Sequence, residues 1–176
     1  LFLRSALTFY IKNLVNFLIW LIHFGYVKVF IKTSIKKTNH QIVLIDTFFG
    51  KSQKNVSMEF DDPYFKGLYS SLDKYDIDYV LLPSLFGVHS NILDGVSILS
   101  YLSKIKQHVI TEYEVLDFFD LVNIVQFIFK YPFRVSQVKR LVKSDKNIDN
   151  LFLNDFNTTI AKTSFHAYVK YLFGKK

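Results

Sequence analysis

The first 45 residues carry six positive charges (Arg4, Lys12, Lys28, Lys32, Lys36 and Lys37) and not one Asp or Glu, and they are strongly apolar between those charges. Fifteen residues from Asn13 to Val27 hold no formal charge and include Leu14, Val15, Phe17, Leu18, Ile19, Trp20, Leu21, Ile22 and Phe24. That is short of the about 20 residues a spanning helix needs. Adding Ala6 to Ile11 reaches the length, but only if Lys12 is buried or snorkels. Positive charge flanks both ends, so it sets no orientation, and Trp20 falls in mid-stretch rather than at an interface. A helix lying in the plane of a membrane, or re-entering it, fits these facts better than a clean span. The residues expected to meet the membrane are Lys12, Trp20, Lys28, Lys32 and Lys36, the last three recurring every fourth residue as a basic stripe toward lipid headgroups. Two other readings stay open. One is a core helix with solvated lysines; the other is a signal-like segment, although no A-x-A cleavage pattern follows.

The other 16 Lys and Arg face all 15 Asp and Glu, so the rest of the chain is nearly neutral. That asymmetry makes anionic membrane lipids the expected partner of the leading segment and argues against nucleic acid. With half its residues apolar, 19 Phe and 11 Tyr, the chain is too rich in core formers to be disordered. Its 176 residues suffice for one domain with a real core. A mean hydropathy of +0.18 leaves apolar surface beyond what such a core needs. Absence of cysteine excludes disulfides, thiolate catalysis and Cys-ligated zinc. The chain opens at Leu1 and is read as a piece of a longer protein. Residues 1–37 form the membrane-associating helix, and 38–176 a Rossmann-like α/β domain with a C-terminal helical extension.

From residue 42 the pattern reads βαβαβ. Ile42-Val43-Leu44-Ile45 predicts a strand buried on both faces. Pro63, behind Asp61 or Asp62, starts a helix reaching about Lys74. Tyr79 to Leu82 is a second strand stopped by Pro83, and Ser90 or Asn91 caps a helix to about Lys106. His108-Val109-Ile110 is a third strand, after which Thr111 and Glu114 match the S/T-x-x-E capping box. Strands separated by single helices predict a small three-stranded parallel sheet. Beyond it, 114–130 is a helix with a polar stripe at Asp117, Asp120, Asn123, Gln126 and Lys130, and Pro132 ends it. A separate basic helix then holds Arg134, Lys139, Arg140 and Lys143, and Asn154 or Asp155 opens a last helix to about Phe173. The aromatics Phe118, Phe119, Phe127, Phe129, Tyr131 and Phe133 read either as core or as a second membrane contact.

In an open parallel sheet, ligands bind beyond the carboxyl ends of the strands. The candidate substrate-binding residues are therefore Asp46, Ser84 and Glu112, with His89 in the loop after the second strand. A carboxylate could hold sugar hydroxyls, helix N-termini a phosphate, and His89 could act as a base near neutrality. Each also has a plain structural reading, Asp46 and Ser84 in turns and Glu112 at its own helix N-terminus. No dinucleotide, P-loop, zincin or nucleophile-elbow motif is present, and the five His show no ligand spacing. No metal is expected.

The order of elements, with Glu114-Val115-Leu116-Asp117-Phe118-Phe119-Asp120-Leu121 opening one helix and Arg134 to Lys143 a basic one, resembles the N-terminal half of bacterial surface-carbohydrate biosynthesis proteins of GT-B-like glycosyltransferase build. The resemblance spans about residues 42–172 and rests on layout, with no diagnostic motif. It implies a membrane-associated transferase of O-antigen or capsule type acting on a lipid-linked glycan at the cytoplasmic face of the bacterial inner membrane. It also implies a nucleotide-sugar donor bound largely by a domain outside this chain, so no catalytic residue is assigned. The alternative is a non-enzymatic, membrane-anchored α/β interaction module.

Overall fold

The computed structural model describes residues 2–31, 42–49, 65–85, 91–105, 108–143 and 163–176. The elements are α1 (Phe2–Phe30), β1 (Val43–Phe49), α2 (Lys66–Lys74), β2 (Tyr79–Leu85), α3 (Ile92–Leu102), α4 (Glu112–Val115), α5 (Phe118–Lys143) and α6 (His166–Phe173). Contacts divide the chain into two compact units, Leu1–Leu18 with Leu116–Lys176 and Ile19–Val115. α1 gives its residues up to Leu18 to one unit and those from Ile19 to the other.

In the unit Ile19–Val115, β1 and β2 pair in parallel from Val43↔Tyr79 to Phe49↔Leu85. Ile45, Phe49 and Leu81 pack with Tyr69 and Leu72 of α2 and with Ile98, Tyr101 and Leu102 of α3. Both helices thus cover the same side of the sheet. The other side of β1 is open: Leu44 is 64% and Phe48 49% exposed, and burial alternates along the strand. A strand buried on both faces is therefore not what forms; β1 is an edge strand with one solvent-facing side.

Both strands also run longer than predicted. Pro83 lies inside β2 and does not stop it, and its missing N–H explains what happens next. Leu81 N–H donates to His108 O (2.9 Å) and Ile110 N–H to Leu81 O (2.9 Å), forming a single parallel bridge at Val109. Two residues on, the donor facing that side would be Pro83, which has none. Thr111 N–H is turned to the Glu114 carboxylate at 2.6 Å, as the capping box predicts. Among the described residues the expected third strand is one bridge, and the sheet has two strands. At α3, Asn91 Oδ1 accepts Leu93 N–H (2.9 Å), as a cap should.

In the other unit, α5 is one helix with Pro132 inside it, in place of a helix that ends there and a second basic one. An internal proline removes a helical hydrogen bond and crowds the preceding turn. Here Tyr10 Oη donates to Phe129 O (3.0 Å), binding a carbonyl in that turn. At the helix start, Asp117 and Asp120 cap one another: Asp117 N–H donates to Asp120 Oδ2 (2.9 Å) and Asp120 N–H to Asp117 Oδ1 (3.1 Å). Pro63, Ser90 and residues 154–162, where helix starts were predicted, lie outside the described residues.

Candidate functional site

α1 turns 100° per residue, so Ala6, Phe9, Asn13, Phe17, Trp20, His23 and Val27 share a face. All seven are buried. This inner face carries the helix's polar anchors. In the first unit, Asn13 Nδ2 donates to Phe9 O (2.9 Å) and Thr163 O (3.2 Å), while its Oδ1 accepts Phe165 N–H (2.7 Å). In the second, Trp20 Nε1 donates to Glu112 Oε1 (2.8 Å), and Trp20 stacks on Phe24 and leans on Tyr113. His23 Nε2 lies 3.1 Å from Ile92 O, an acceptor only, which places the ring proton on Nε2.

The opposite side exposes mostly apolar residues, with Arg4, Thr8 and Lys12 among them. In the first unit Leu3, Leu7, Ile11, Leu14, Val15 and Leu18 are exposed; in the second Leu21, Ile22, Val29 and Phe30 are. Soluble helices place their apolar stripe inward and their polar residues outward. α1 places Asn13 and His23 inward and bare Leu, Ile and Val outward. It is also the one described helix long and apolar enough to cross a membrane, with 28% of its most apolar window buried.

α5 extends the bare surface of the first unit. Phe118, Phe119, Val122, Phe129 and Phe133 are exposed, so these aromatics are not core. Phe127 and Tyr131 are the half-buried members of that cluster. Tyr10, at the border of the outer face of α1, sits 6.2 Å from the ring of Phe129. At Phe129, α1 and α5 adjoin.

Of the residues predicted to contact lipid, Trp20 is fully buried and does not; its indole N–H pulls it toward Glu112. Lys12 is exposed on the flank of the outer face. Lys28, also exposed, donates to Glu114 O (2.8 Å). Lys32 and Lys36 lie outside the described residues.

Of the substrate-binding candidates, Asp46 and Ser84 meet: Ser84 Oγ donates to Asp46 Oδ1 at 3.4 Å. Because β1 runs on to Phe49, Asp46 sits in mid-strand opposite Leu82 rather than at a carboxyl end. Glu112 opens α4 and binds the Trp20 indole; its charge also helps push the Tyr113 hydroxyl, raised first by burial, well above its usual range. His89 lies outside the described residues. Among the described residues no three His, Asp or Glu gather in a way that could hold a metal.

Sequence reasoning split another feature in two. Asn123, Gln126, Phe127, Lys130, Tyr131 and Arg134 of α5, with Tyr168 of α6, line a cleft of about 140 Å³. Gln126, Lys130 and Arg134 recur every fourth residue, but a helix ending at Pro132 puts Arg134 on a separate element.

No family model matches the chain, and neither a curated protein nor a solved structure is significantly similar to it.

Proposed function

We propose that the protein works at a membrane surface, docked through the outer face of α1 and the adjoining phenylalanines of α5, and serves there in assembling a surface glycan on a lipid-linked acceptor. The observation that carries the membrane part is the apolar excess of α1: ten large apolar side chains are exposed although its buried face is itself mostly apolar. At about 25 cal/mol per Å² of apolar area, transferring even half of such a face into lipid outweighs the loss of free motion. Docking in the plane suits this helix better than crossing. Its inner face is buried from Ala6 to Val27, so a spanning α1 would draw Glu112 and other packed polar groups into hydrocarbon.

The glycan part rests on the resemblance in the order of elements. It makes this chain the acceptor-side portion of a GT-B-like transferase with its nucleotide-sugar donor held elsewhere, at the cytoplasmic face of a bacterial inner membrane. The non-enzymatic, membrane-anchored interaction module shares the docking surface and differs only in chemistry. Flotation with phosphatidylcholine vesicles tests the shared part. Leu7→Ser, Ile11→Ser and Leu18→Ser together should abolish flotation and leave the circular dichroism unchanged, since all three are exposed. A triple variant that floats like the wild type rejects the docking surface. Glycan transfer to a lipid-linked acceptor by the full-length protein, or its absence, then separates enzyme from module.

A further inference from the structure

The cleft along α5 has the chemistry of an anion site. Lys130 and Arg134 stand one turn apart, an arrangement that is repulsive on a bare helix. Among the described residues no acid lines the cleft. The acids at the start of α5 are engaged elsewhere, with Lys176 Nζ 2.9 Å from Asp117 Oδ2 and 3.3 Å from Asp120 Oδ2. Among the described residues Arg134 has no ion pair, and Lys130 Nζ is steered by Gln126 Oε1 at 3.0 Å.

The walls are held in advance. Phe127 and Tyr168 stack at 4.6 Å with 4° between planes. Tyr131 lies between Phe9 and Phe127, 5.1 Å from each, and its hydroxyl shares a hydrogen bond with Thr163 Oγ1 (3.0 Å). A rigid wall spares the ligand the entropy of ordering it.

Size narrows the ligand. A water occupies about 30 Å³ of liquid, so 140 Å³ holds roughly four or five waters. That seats a phosphate group and its ester link, with the rest of the ligand lying toward the open side of the cleft. Arg offers a planar fork matched to phosphate oxygens, Lys a point charge, and the amides of Asn123 and Gln126 can meet a hydroxyl beside it.

We propose that the cleft formed by Asn123, Gln126, Lys130, Arg134 and Tyr168 binds a phosphate monoester, carried either by a lipid headgroup or by a soluble sugar phosphate. The assignment does not depend on membrane docking, because its soluble arm needs no bilayer. The test uses the full chain in two arms: calorimetric titration with glucose 1-phosphate, and binding to phosphatidylcholine vesicles with and without phosphatidic acid. The variant is Lys130→Gln with Arg134→Gln; the control, Lys74→Gln with Lys104→Gln, removes the same charge from the other unit. The α5 variant should lose about tenfold or more in affinity in at least one arm, while the control stays within about twofold. Loss with glucose 1-phosphate identifies a soluble ligand, and loss confined to phosphatidic acid vesicles identifies a headgroup. If the wild type binds in neither arm, or the α5 variant binds no worse than the control in both, the proposal is overturned.

Discussion

The side-chain oxygen of Asn13 accepts the backbone N–H of Phe165 at 2.7 Å, so a residue on α1 caps α6, a helix whose own N-cap residue offers no side-chain acceptor. The same amide donates to Phe9 O and Thr163 O, and the site is sealed from water. One polar residue in an apolar stretch thereby joins the two ends of the described chain within one unit.

Replacing Asn13 by Leu keeps the volume and removes every one of those bonds. Leaving Phe165 N–H without its acceptor in the interior should destabilise the protein by about 1–3 kcal/mol. Urea unfolding followed by circular dichroism measures it. A midpoint equal to that of the wild type would show that the latch contributes nothing.

His166, beside this latch, is held neutral. Burial first, and then the Lys12 charge, bring its pKa from the ordinary 6.5 to about 4. Above pH 6.5 neither folded nor unfolded chain protonates this ring, so it has no effect on stability. Between pH 6.5 and 4 only the unfolded chain takes up the proton, and stability falls as pH falls. The full loss from this group is roughly 3 kcal/mol at most. His166→Phe should flatten that slope in urea midpoints taken across the window; an unchanged slope would remove His166 as its source.

The second unit is set by a close approach. A Cβ built on Gly95 would run into the imidazole of His23, so α3 meets α1 at a residue with no side chain. Gly95→Ala should cost about 1–3 kcal/mol through overpacking. Combining it with His23→Ala should cost less than the sum of the two single changes, because the second change makes the room that the first one lacks. Strict additivity in a thermal or urea double-mutant cycle would show that the two residues do not press on each other.

What could be read from sequence was local. Glu114 takes the Thr111 N–H as its half of the capping box, and Asn91, one of the two predicted caps, accepts Leu93 N–H; each involves neighbours three residues apart or fewer. The parallel pairing of β1 with β2 followed from a single intervening helix. Prolines misled, because their effect depends on the partner. Pro83 sits within β2, where its missing donor faces the segment that leaves the sheet after one bridge; Pro132 is carried inside α5, where Tyr10 binds Phe129 O from 119 residues away. The candidate sites were hidden for the same reason. The fate of Trp20 depends on Glu112, and the cleft needs Tyr168 from another helix. What did show in the sequence was the excess of apolar residues at the front. Which face is bare depends on what the other face packs against, through Asn13, Trp20 and His23.

The outer face of α1 is expected to meet lipid, and the absence of cysteine from the chain allows a direct test. An environment-sensitive fluorophore attached at Ile11→Cys reports the outer face; the same label at Ser70→Cys, on exposed α2, reports a surface outside it. On adding phosphatidylcholine vesicles, the label at position 11 should shift to the blue and be quenched by a lipid-borne nitroxide, while the label at position 70 keeps its aqueous spectrum. If the label at position 11 remains as water-exposed as that at position 70, α1 does not dock and the membrane account is wrong.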